Sequence, residues 1–163
     1  MNTPIFPSFL RPMKPEEAAQ VDALLRAAFG GSDEAELVAK LRHAGAMVGE
    51  MVLPLGEAVI GYYALSKMVA PQGWLCLAPV AIRPDWQGMN HGKRMIGQLV
   101  AWAEGAQKPV VVLGPPAFYE RAGFSATKAA NLVTPYPKDF TLLAGHDGAP
   151  AVELVYPKAF DGL

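Results

Sequence analysis

The chain has a single cysteine, Cys76, and three histidines among 163 residues. A lone cysteine cannot close an internal disulfide, and no grouping of cysteine and histidine has the spacing of a zinc site, so neither disulfides nor a structural metal are expected. Charge is equally sparse. Only 18% of residues are charged, and 14 basic side chains against 15 acidic ones leave a net charge of −1. Nothing in that balance draws the chain to DNA, RNA or an anionic membrane. No apolar run approaches the roughly eighteen residues that would span a bilayer, and Met1 to Leu10 lacks the basic start and apolar run of a secretion signal, so the cytoplasm is the default compartment. Internal repeats and low-complexity tracts are absent as well.

What remains is 52% hydrophobic, with 16 glycines and 15 prolines. That composition describes a folded chain with many turns, and its length suits one domain over residues 1–163. From Pro15 to Phe29 the apolar residues Val21, Leu24, Leu25, Ala28 and Phe29 follow helical spacing, with Gly30-Gly31 as the stop. A second helix is expected to start at a capping box of Asp33 and Glu36 and to leave at Gly45. Ala46–Leu53 and Ala58–Met68 read as an antiparallel hairpin around Pro54–Glu57, and Phe9–Met13 as a short edge strand. Trp74–Ile82 reads as a third long strand. Pro79 within it lacks the N–H that a central strand needs, so the sheet is expected to open there. A loop from Gln87 to Gly92, a helix through Met95 to Ala103, a buried strand Val110–Leu113 and a short helix Ala117–Ala122 follow, the last ended by Gly123. Two apolar runs around Gly145-His146-Asp147-Gly148 suggest a final hairpin.

A strand end, a small-residue loop and a helix start follow one another from Val80 to Lys93, a junction suited to an anion. Unpaired N–H groups at a helix start converge on one point, and glycine lets the backbone come close. Lys93 could add a point charge. Neither standard nucleotide motif is present: Gly88 and Gly92 enclose three residues rather than the four of a Walker loop, Arg94 stands where Ser or Thr is needed, and Gly-x-Gly-x-x-Gly is absent. In a glycine-rich chain such a spacing also arises by chance, so spacing alone leaves a plain turn equally favoured.

The stretch Leu77-Ala78-Pro79-Val80-Ala81-Ile82-Arg83-Pro84-Asp85-Trp86-Gln87-Gly88-Met89-Asn90-His91-Gly92 resembles the strand and pyrophosphate loop of GNAT superfamily N-acetyltransferases, whose loop reads Arg/Gln-x-x-Gly-x-Gly/Ala. Pro116-Ala117-Phe118-Tyr119-Glu120-Arg121-Ala122-Gly123-Phe124 resembles the Tyr-x-x-x-Gly-Phe segment of the same family, in the same order. The resemblance spans about Trp74 to Phe124, a third of the chain. Asn90 stands where the loop pattern has its first glycine. Asparagine accepts positive φ more readily than most residues, so a retained loop is expected.

The resemblance implies an α/β (α+β) fold with a mixed, mostly antiparallel sheet flanked by helices and a splayed parallel strand pair. It implies acetyl-CoA as acyl donor, without a metal, bound at Val80, Ala81, Ile82, Gln87, Gly88, Met89, Asn90, His91, Gly92 and Lys93. It also implies direct attack by a neutral primary amine on the thioester, with Tyr119 as the acid that protonates the leaving thiolate. The acceptor, a small-molecule or peptide amine, is unidentified; Phe29–Glu36 and Thr134–Gly148 are the segments expected to choose it. The general base is unassigned among Glu50, Glu57 and Asp85, and a water chain would also serve. Family members often form dimers, so a homodimer is a further expectation, with no interface patch visible in the sequence.

Plainer readings stand beside these. Tyr119 between Phe118 and Phe124 suits core packing, His91 a solvent-facing loop, and Cys76 a small buried hydrophobe. Met47, Met51, Met68, Met89 and Met95 suit either a core or an adaptable apolar groove. A CoA-binding sensor or assembly subunit without transfer activity is the alternative function, and an NTP-binding protein a third.

Overall fold

A computed structural model describes Pro7 and residues 9–162 of the chain. The edge strand β1 (Arg11–Pro12) leads through a 3-10 turn at Pro15–Glu17 into α1 (Ala18–Phe29) and α2 (Asp33–His43). Next come β2 (Met47–Leu55), β3 (Ala58–Lys67) and β4 (Leu75–Ile82), then α3 (His91–Ala106), β5 (Val110–Leu113), α4 (Pro116–Ala122) and β6 (Thr141–Ala144). The six strands form one sheet in sequence order, antiparallel throughout except for the parallel pair β4 and β5. The expected mixed sheet flanked by helices is therefore the observed one.

Alternation along the strands gives the sheet two apolar faces. Leu53, Tyr63, Leu65 and Leu77 pack with Met95, Ile96, Leu99 and Tyr119 on the side of α3 and α4. Val52, Tyr62, Ala64 and Ala81 pack against Val21, Leu24, Leu25 and Val38 of α1 and α2 on the other side. A third cluster on the α2 side gathers Cys76, Val111 and Leu143 with Leu154, Tyr156 and Phe160 of the C-terminal segment.

Local expectations hold with informative exceptions. Gly30 caps α1 at φ +70, and Gly123 ends α4 at φ +114, as glycine permits. The second helix is capped one residue earlier than the motif suggested: Ser32 is the N-cap, its carbonyl accepts the Glu36 N–H at 2.9 Å, and its Oγ lies 3.3 Å from the Glu36 carboxylate. Pro54 lies inside β2, where the register slips between Leu53 and Pro54. The final hairpin does not form. The free edge of β6 is taken by Ser125, which exchanges both backbone hydrogen bonds with Leu143, and Val155 instead pairs with Ala70 while Glu153 bridges Val133.

The decisive local feature is in β4. Below Pro79, Leu77 pairs with Leu65 of β3 and Val112 of β5. Above it, Val80, Ala81 and Ile82 still follow Tyr63, Tyr62 and Gly61 of β3, but no β5 residue pairs with them. Ala78 and Pro79 together occupy the place opposite Ala64, a bulge that absorbs the missing proline N–H. The two parallel strands thus part at the residue the sequence marked.

Candidate active site

The parting of β4 and β5 opens a cleft of about 620 Å³ beneath the N-terminus of α3 and beside α4. Antiparallel alternation determines what β4 offers to it. Arg83 N donates to Ile60 O at 2.8 Å, so the alternate groups of Val80 and Ile82 face away from β3 into the opening. The Ile82 carbonyl accepts the Gln87 side-chain amide at 2.9 Å, which confirms its direction and ties the loop to the strand end.

The loop presents donors to the same space. Gln87 N reaches Pro84 O and Arg94 N reaches Asn90 O, but the N–H groups of residues 88–93 between them meet no acceptor among the described residues. Asn90 holds φ +66, the left-handed conformation that a glycine would take there, and Gly88 holds φ +79. A helix N-terminus with unspent N–H groups attracts phosphate oxygens, and Lys93 and Arg121 add cations at the cleft wall. Gly92 keeps α3 close to α4, since a methyl there would come within 3.2 Å of the Phe118 ring.

Of the residues named from sequence, Val80, Ile82, Gln87, Gly88, Asn90, His91, Gly92, Lys93 and Tyr119 line this one cleft. Ala81 and Met89 do not. The Ala81 side chain is buried under α1 on the opposite face and its backbone pairs with Tyr62, while Met89 is 55% exposed. His91 is buried rather than solvent-facing: its ring lies 5.5 Å from that of Trp86, its Nδ1 contacts the Arg94 guanidinium, and burial lowers its pKa. Trp86, Phe118 and Arg121 also line the cleft without having been named from sequence as binding residues. Turns of helix bring them there, at spacings no loop motif records.

Tyr119 is 8% exposed and lines the cleft, its ring held edge-on by Phe118 at 5.0 Å and Phe124 at 5.8 Å. Gly114 makes room for it, since a Cβ there would meet Tyr119 Cε2 at 2.5 Å. Burial pushes its phenol up to about 12, so it keeps its proton at any ordinary pH. None of the candidate bases lines the cleft. Glu50 is held by Arg42 at 2.6 Å and by the Tyr62 hydroxyl at 2.6 Å on the α1 and α2 face. Asp85 is exposed and paired with Arg83 at 2.7 Å, and Glu57 is exposed in the β2–β3 turn.

Residues 38–126 match the sequence model of the GNAT acetyltransferase domain, more than half of the chain. The chain belongs to the GNAT acetyltransferase family. It is 35% identical over 129 residues to YhbS of Escherichia coli K12, named an uncharacterized N-acetyltransferase, with 76% of this chain and 77% of that protein covered. The crystal structure of E. coli YhbS in complex with CoA superimposes with a TM-score of 0.86 over 99% of this chain and 95% of that one, at 27% identity. A GNAT acetyltransferase from Brucella melitensis in complex with acetyl-CoA gives 0.78 over 94% and 97%, at 29% identity. No helix among the described residues is long and apolar enough to cross a membrane.

Proposed function

We propose that the chain, acting as one cytoplasmic domain, transfers an acetyl group from acetyl-CoA to a primary amine by direct attack. The observation that carries this reading is the opening of β4 from β5 at Pro79, which joins free backbone groups, an anion-binding helix start and a protonated phenol in one cleft. The N–H groups of residues 88–93, with Lys93 and Arg121, receive the pyrophosphate. Val80 and Ile82 pair with the amides of the pantetheine arm as an added strand would. That pairing lays the thioester near Ala78 and Pro79, where β4 leaves β5.

The role of Tyr119 follows from its burial. Full transfer of a proton from a phenol near 12 to a thiolate near 8.5 is uphill by about 5 kcal/mol. The hydroxyl therefore acts first as a hydrogen-bond donor to the sulfur as its charge develops; as the C–S bond breaks its proton passes to the thiolate, and the proton released by the attacking nitrogen restores the phenol. With no carboxylate among the described residues lining the cleft, the amine reaches it already neutral or loses its proton to water.

Two measurements test this. Acetyl-CoA at 100 times its dissociation constant adds about 2.7 kcal/mol to stability and raises the melting temperature by roughly 5–10 °C, whereas Mg-ATP does not. Tyr119→Phe keeps that shift and lowers kcat about a hundredfold against a general amine screen. No shift with millimolar acetyl-CoA overturns the cofactor assignment. A shift without thiol release from any amine, in the wild type as in the variant, favours the CoA-binding sensor instead.

A further inference from the structure

A second concave region lies on the other side of α3. Helices α1 and α2 cover one face of the sheet, and α3 and α4 lie over β4 to β6 on the other, so the lower halves of β2 and β3 beside α3 carry no helix. A groove of about 680 Å³ results, with α3 as one wall, the sheet as floor and the β3–β4 loop at Gln72–Trp74 as its end. It continues along α3 into a smaller hollow of about 280 Å³, with Leu10 and Gln98 common to both. From Arg94 to Trp102 the trough follows nine residues of helix, about 12 Å. Its floor is apolar and adaptable: Met51, Met68 and Met95 line it, three of the five methionines that the sequence offered for a groove. Phe9, Val48 and Trp102 stay exposed along it at 89%, 48% and 49%.

The polar lining has one sign. Lys67 and Lys108 stand at the far end, the Lys108 ammonium about 3.8 Å from the Cβ position of Gly73, and Arg94 stands at the near end. Gln72 and Gln98 supply further hydrogen-bond donors, His91 sits where the smaller hollow meets the acetyl-CoA cleft, and no acidic side chain among the described residues lines either part. A pocket of this size, apolar along its length and cationic at its ends, complements a molecule with an extended apolar body and an anionic head. We propose that this trough binds an elongated amphipathic anion, of which a medium-chain alkyl carboxylate is the simplest member. The trough meets the acetyl-CoA cleft only at His91, which lines both, and the proposal does not depend on the transferase reading.

Calorimetric titration of the full chain with dodecanoate below its micellar range tests it, with dodecyltrimethylammonium as the control of equal apolar length. Dodecanoate is expected to bind at least tenfold more tightly than the cationic control. Gln98→Trp, on the exposed side of α3, fills the trough and is expected to abolish binding. The double variant Lys67→Gln, Lys108→Gln is expected to weaken it about tenfold, with the acetyl-CoA thermal shift unchanged in both variants. Equal binding of the two amphiphiles, or binding that survives Gln98→Trp and is displaced by CoA, overturns the proposal. So does a dimer in solution that Gln98→Trp dissociates, since a second copy would then cover the groove.

Discussion

Asn90 concentrates the residue-scale argument. At φ +66 it takes the place of a glycine at the turn into α3, and its carbonyl accepts Arg94 N to start the helix. Left-handed backbone costs a β-branched residue about 1–2 kcal/mol more than it costs glycine or asparagine. Asn90→Val is therefore expected to weaken acetyl-CoA binding about tenfold, while Asn90→Gly leaves it unchanged, as competitive titration would show. This position was legible in the sequence because backbone preference is a property of the residue itself. Arg121 and Trp86 were not, because which side chains a helix turns toward a cleft depends on packing that a one-dimensional motif does not carry.

At the scale of elements, β4 does two jobs along one strand. Its lower half is an ordinary central strand bonded on both sides, and its upper half is bonded to β3 alone. Hydrogen exchange reads this division amide by amide. Acetyl-CoA is expected to slow exchange at Val80, Ile82 and residues 88–93 by tenfold or more, and to leave Ala81 and Arg83, which face β3, little changed; uniform slowing along the strand would contradict strand addition. Proline chemistry made the opening legible in advance. Period-two alternation should also have removed Ala81 from the site residues, since a strand cannot present successive side chains to one face. The failed hairpin around Gly145 shows the opposite limit, where a sound local turn signal lost to Ser125, whose claim on β6 is long-range. The helix α4 depends on a long-range contact too. A Cβ on Gly123 would sit 2.8 Å from Val100 Cγ1 with φ +114, so Gly123→Ala is expected to lose about 1–3 kcal/mol in urea unfolding and to loosen Tyr119 with it.

For the molecule as a whole, the sheet is held by apolar clusters on both faces, with four ion pairs among the described residues. Sequence patterning gave the order of the helices and of strands β1 to β5 and most of the buried stripe of each helix; it could not show that the C-terminal segment closes the α2 face by reaching Ala70 and Val133 rather than by pairing with β6. One buried ionic tie joins the start of the sheet to the start of the helical layer. Glu17, 7% exposed, accepts two hydrogen bonds from Arg11 of β1 at 2.8 Å and one from Lys14 N at 2.8 Å. The Arg11 guanidinium, with help from the Lys14 N–H, lowers the Glu17 carboxyl to about 2, against an ordinary value of 4.5. A carboxyl whose folded value is depressed contributes stability fully above its unfolded value and loses it as pH falls toward the folded one. This tie therefore acts above about pH 4.5 and fades between there and pH 2. Wild-type stability should drop across that window, and Glu17→Gln, already without the charge, should be less stable near neutrality and fall less on acidification. Urea midpoints at pH 6 and pH 3 for both proteins would check this, and equal acid sensitivity in the two would place the pH dependence elsewhere.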